Sequence, residues 1–150
     1  AAGENSGKLV TLVRRESQRV ALQHRRSLIL VDGPPGIGCA VISSVSGADK
    51  VLLVTEPSVS GLHDLARVSA LAHGFGIPVY VCVNKYDIDK EMTLNIQRCT
   101  EEDGNTFVGM IPYDEDMVQS QLRNLSAVEY VAGNTRACIE HIWENVWTEK

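Results

Sequence analysis

The residues able to do chemistry fall at the ends of short apolar runs. Leu28-Ile29-Leu30-Val31 is followed by Asp32 and then by Gly33-Pro34-Pro35-Gly36-Ile37-Gly38. Val79 to Val83 is followed by Asn84-Lys85-Tyr86-Asp87, and Phe107 to Ile111 by Pro112-Tyr113-Asp114. A short branched apolar run bounded by Gly and Pro predicts an interior strand of a parallel sheet. In open α/β sheets, ligands sit at the carboxyl ends of the strands. Asp32 is therefore placed where a carboxylate can hold a metal-nucleotide. The glycines after it, Gly36 among them, let backbone amides approach a phosphate. At the end of Val79 to Val83, an Asn can pair with a purine ring nitrogen. An Asp two residues beyond the Lys can accept from the amino edge of guanine. The plainer reading of the same four residues is a polar turn closing a strand.

The elements that must position these residues alternate. Asn5 to His24 is expected to be a helix with Ser6 as its cap and a loose apolar face of Leu9, Leu12, Val13, Val20 and Ala21. Ala40 to Ser46 reads as a short helix, and Val51 to Val54 as a strand running into Thr55-Glu56-Pro57. A helix with Ser60 as candidate cap and Leu62, Leu65, Val68, Leu71 and Ala72 on one face follows. Lys90 to Asp103 is helical, and Ala127 to Trp147 is expected as one long helix weakened at Gly133-Asn134. A leading helix and four βα-like units predict an α/β fold, a three-layer doubly wound parallel sheet of about four strands forming a single domain over residues 1–150.

Two tempting motifs fail on spacing. Ser6-Gly7-Lys8 suggests a phosphate loop, but the pattern needs Gly at position 2 and Ser or Thr at position 9, which are Ala2 and Leu9. Gly36-Ile37-Gly38 begins a dinucleotide fingerprint whose third small residue would be Val41.

Bulk properties narrow the class. The chain has 150 residues, 44% hydrophobic and 22% charged, enough for one domain with a real core. A net charge of -5 argues against a nucleic-acid coat, and no apolar run approaches a membrane span. The basic residues Arg14, Arg15, Arg19, Arg25 and Arg26 read as a solvated face or as a docking surface for an acidic partner. Cys39, Cys82, Cys99 and Cys138 form no CxxC pair; Cys82 and Cys138 read as buried small hydrophobes in a reducing cytoplasm. Cys39, after the glycine loop, is a weak candidate for a cluster or redox ligand. Trp143 and Trp147, four apart, either pack or meet a second subunit. Without an initiator Met, Ala1-Ala2-Gly3 reads as a cut end of a longer protein.

The segment VDGPPGIGCAVISSVSGADKVLLVTEPSVSGLHDLARV is similar to the MinD/ParA-like ATPases. It resembles most the subgroup that carries a ferredoxin domain inserted in the ATPase fold. The segments DGPPG, TEPSVSG and NKYD stand in that family's order, and the match runs from about Glu4 to Asp116. The resemblance implies that Asp32 holds Mg²⁺ through a water and that Gly33 to Gly38, with Gly36, sense the γ-phosphate. Asn84 would contact adenine beside Lys85 and Asp87, and the Pro112-Tyr113 loop would lie against the purine. It also implies a cytoplasmic homodimer that binds ATP between subunits. An iron–sulfur cluster would sit on an insert absent from this sequence, and a ferredoxin-type partner would follow. The family's two-lysine phosphate loop is missing, so this chain alone is expected to be inactive as an ATPase. The loop's strand would lie between the Asp32 and Val51 strands; without it those two are expected to pair directly or to associate between chains. Two rival readings stay open. One is a GTP-binding switch using NKYD, and the other a degenerate NTPase fold serving as an interaction module.

Overall fold

A computed structural model describes the backbone of residues 2–148 and the side chains of residues 7–147. Its elements in order are α1 (Ala2–Gln23), α2 (Cys39–Val45), β1 (Val51–Thr55), α3 (Val59–Gly74), β2 (Val79–Asn84), α4 (Lys90–Glu102), β3 (Thr106–Ile111), α5 (Asp116–Leu122), α6 (Ala127–Tyr130) and α7 (Asn134–Thr148). The strands form one parallel sheet in the order β1-β2-β3.

Side chains of a strand alternate between faces, so the central strand β2 divides the core in two. Val79 and Val81 pack with Leu65, Val68 and Ala72 of α3 and with Val41 and Val45 of α2. Tyr80 and Cys82 point the other way, to Val108 of β3 and Ile142 of α7. Helices on both faces make this a three-layer arrangement, and they explain why β2 is an unbroken apolar run. Burial also pushes the Cys82 thiol up to about 11.

Local chemistry sets the helix starts. Ser58, not Ser60, caps α3 by accepting the Gly61 N–H at 3.0 Å. Asp89 caps α4 through the Met92 N–H at 2.9 Å. Each such cap is worth about 1 kcal/mol. The long carboxyl-terminal helix is in fact two. A Ser126–Glu129 capping box starts α6, the chain extends at Val131, and Gly133 with φ 72 precedes α7. α1 begins at Ala2, so Ser6 lies inside it rather than capping it.

Gly109 is the one strand residue that only glycine fills comfortably. Its φ is 146, and a Cβ there would stand 2.9 Å from Ile142 Cγ1. The β2–β3 register slips beside it, with Val81 opposite Phe107 and Cys82 opposite Gly109. The bulge lets α7 settle onto β3.

Further expectations fail in the packing. Leu28 to Val31 forms no strand, so the sheet has three strands rather than four. Of the two outcomes expected for this segment, direct pairing with β1 does not occur, and association between chains is not tested by a single chain. The apolar face expected on α1 stays largely open: Leu9, Leu12 and Val13 are exposed, and Ala21 alone of the five is buried. α1 instead docks on α2 by close approach and polar contact. Gly7 sits against Ser43 and Cys39, and Arg14 donates to the carbonyls of Ser43 and Ser46 at the end of α2. Cys138 is half-buried rather than buried.

Candidate functional site

Parallel pairing brings the three strand ends to one edge. Thr55 is level with Val83, and Asn84 with Ile111. The loops beyond them are bonded to one another. Lys85 takes a left-handed φ of 56, which turns the chain sharply after β2. The turn lets the Tyr86 N–H donate to Ile111 O at 3.1 Å, and Asp87 Oδ1 accepts the Tyr113 N–H at 2.7 Å. From α4, the Thr93 hydroxyl donates to Tyr86 O at 2.9 Å. On the β1 side, Lys85 Nζ meets Glu56 Oε1 at 2.6 Å. Gly61 is held so tightly against this end of β1 that a Cβ would lie 2.5 Å from Glu56 O.

The Pro112–Asp114 loop is also tied from behind. The Thr135 hydroxyl, on a residue 4% exposed, donates to Asp114 Oδ2 at 2.6 Å, and the Asp116 N–H donates to Oδ1 at 2.9 Å. The Thr135 bond first and the Asp116 bond second hold the Asp114 carboxyl below its ordinary range. Tyr113 remains half exposed above this anchored turn.

The structure thus gathers Asn84, Lys85, Asp87, Pro112 and Tyr113 at one sheet edge. Asp32 and Gly36 do not follow a strand as expected. Both lie in the exposed coil between α1 and α2, so the carboxylate is not set at the end of a strand. The physical reason is the missing ladder: a run without a neighbouring strand cannot aim its last residue. Gly36 has φ 87 with nothing within 4 Å of a would-be Cβ. Glu56 and Thr135 were missed as site residues. Glu56 had a signal in its position after β1. Thr135 had none, because it reaches Asp114 from another helix.

Asn84 stands level with Ile111, so it and the Pro112 loop share this edge. The Lys85 ammonium at this edge is paired with Glu56. Among the described residues, no group of three or more His, Cys, Asp or Glu side chains is placed to hold a metal ion. Two surface depressions lie elsewhere. One runs along α4 near Asp89, Met92 and Arg98; the other lies between α1 and residues 26–29. No helix among the described residues is long and apolar enough to cross a membrane.

No protein-family model matches the chain. Relatives do. An uncharacterized protein of Methanocaldococcus jannaschii is 29% identical over 138 residues, covering 91% of this chain and 44% of that protein. An uncharacterized ATP-binding protein of the same organism is 32% identical over 112 residues, 73% of this chain and 42% of the relative. The chloroplastic septum site-determining protein minD homolog of Arabidopsis thaliana is 30% identical over 104 residues, 67% of this chain and 32% of the relative. The chain therefore spans less than half the length of these curated relatives. Among solved structures, the MinD cell division protein of Aquifex aeolicus superposes with a TM-score of 0.73 at 25% identity, covering 89% of this chain and 58% of that one. The MinD cell division ATPase of Pyrococcus furiosus, at 21% identity and a TM-score of 0.69, shares the fold. The fold is α/β, of the P-loop NTPase type, with its parallel sheet flanked by helices. By these relatives and this architecture, the chain belongs to the MinD/ParA-like P-loop ATPase superfamily.

Proposed function

We propose that this chain supplies the base-binding side of an ATP site in a MinD-like nucleoside-triphosphate hydrolase. The observation that carries the reading is the bonded pair of strand-end loops, Asn84–Asp87 and Pro112–Asp114, in a chain of this superfamily. Asn84 would pair with the adenine ring, and Tyr113 would cover its face. Pro112 fixes the path of the loop between them.

Phosphate chemistry needs lysines and backbone amides on the β- and γ-phosphates. Lys85, the lysine at this edge, is paired with Glu56, and the Tyr86 and Tyr113 amides are bonded within the loops, which supports a site whose phosphate-binding groups come from other residues. Magnesium commonly takes one or two carboxylates and fills its remaining positions with phosphate oxygens and water. Asp32, a lone exposed carboxylate, fits only that shared mode. The ion would neutralise developing phosphate charge. The glycine loop through Gly36 would follow the γ-phosphate as a switch. The motif order DGPPG, TEPSVSG, NKYD supports placement near the subgroup with an inserted ferredoxin domain. Exposed Leu52, Val54 and the stacked Trp143–Trp147 pair support association with a second copy.

The test is an NMR titration of this chain with MgATP. Shifts confined to the amides of Asn84, Lys85 and Tyr113, with affinity on the order of millimolar, are expected. Shifts centred on α4 or α1 would place the ligand elsewhere and end the reading. A phosphate-release assay should show no turnover by this chain. Turnover would mean that the phosphate groups are held within it after all.

A further inference from the structure

Asp87 closes the Asn84-Lys85-Tyr86-Asp87 motif, in which an aspartate can read guanine. That role needs both carboxylate oxygens turned to the base, one for the ring N–H and one for the amino group. The geometry here uses the carboxylate otherwise. Oδ1 accepts the Tyr113 backbone N–H at 2.7 Å, while the neighbouring Tyr86 N–H donates to Ile111 O at 3.1 Å. Residues 86 and 87 thus hold both ends of the 111–113 segment. Lys85, whose stem could lie along a base, runs to Glu56 at 2.6 Å. Thr135 fixes the far side of the loop through Asp114.

This arrangement decides which hydrogen-bonding groups the loop can offer. Pro112 has no N–H, and the Tyr113 N–H is bonded to Asp87. Only carbonyl oxygens remain at the Pro112–Tyr113 step. Adenine carries an amino donor at C6, where guanine carries an acceptor oxygen. A loop left with acceptors suits the first and repels the second.

We propose that Asp87 is a positioning residue that selects adenine over guanine, by turning the Tyr113 N–H away from the base edge instead of reading the base itself. This rests on the nucleotide reading above.

The test compares the wild-type chain with Asp87→Ala and Asp87→Asn, titrated with ATP and with GTP by NMR. Amide hydrogen exchange at Tyr113 is followed in parallel. The wild type should bind ATP about fivefold tighter than GTP, the scale of one hydrogen bond gained or lost. Asp87→Ala should weaken ATP about fivefold and erase the preference. Asp87→Asn keeps an acceptor oxygen and should restore most of both. Exchange at Tyr113 should be about tenfold faster in the Ala variant than in the other two. Tighter binding of GTP, or an Asn variant as damaged as the Ala variant, would overturn the proposal. Unchanged Tyr113 exchange would remove the strap itself, whatever binds. If neither nucleotide binds while the exchange difference persists, the nucleotide reading and the base preference both fall, but the strap stands.

Discussion

Two apolar runs of the same kind meet opposite fates in this molecule. Val79 to Val83 and Leu28 to Val31 are both short and branched, and each ends in Asn or Asp before a turn. In β2, Val81 and Val83 are 0% exposed; in the other run, Leu30 is 79% exposed. β2 has a strand on each side and a helix layer on each face. Leu28 to Val31 has no ladder partner among the described residues. The pattern therefore encodes a capacity for burial. Burial itself depends on a partner, and only one of the runs has one.

The contrast is sharpest in core truncation. Ile96, fully buried on α4, should cost about 3 kcal/mol as Ile96→Ala. Leu30→Ala should stay within about 0.5 kcal/mol. Urea unfolding of the two variants checks both, and equal losses would break the comparison. Next in size is Gly109→Ala, which combines a positive φ with the clash against Ile142 and should cost about 2 kcal/mol. A neutral result would mean that α7 is looser on β3 than its contacts imply.

A smaller effect concerns acid. The folded Asp114 carboxyl lies below its ordinary range because Thr135 and Asp116 donate to it. Its contribution is complete above the ordinary aspartate pKa. It is lost as pH falls from there through the depressed folded value. Carboxyl titration by NMR should show Asp114 moving up toward the ordinary range in Thr135→Val, and no movement would unlink the loop from α7. The smallest effect is expected at the surface. Lys85→Ala removes an exposed ion pair with Glu56 and should cost under about 1 kcal/mol by thermal unfolding. A larger loss would show that Lys85 anchors the turn through more than its charge.

Much of the sheet half was legible because its signals are local. The βαβαβ order, the starts of α4 and β2, and the burial of Cys82 follow from periodicity and caps. The NKYD segment was legible as a strand-end turn, and the structure sets Asn84 at the end of β2 with Lys85 turning the chain after it. The use of Asp87 was not legible, because the Tyr113 N–H it holds is 26 residues away. The break between α6 and α7 was expected only as a bend at Gly133-Asn134. The Ser126–Glu129 capping box that starts a separate helix went unread.

By itself, the sequence determined which segments are apolar, where helices can begin, and which polar residues close each strand. These depend on neighbours a few positions apart, through sterics, caps and side-chain alternation. Tertiary structure alone decided that Leu28 to Val31 stays outside the sheet, that Lys85 answers Glu56, and that Asp87 grips a backbone amide. Each needs a particular partner brought from a distant part of the chain, and no local pattern carries the address of that partner.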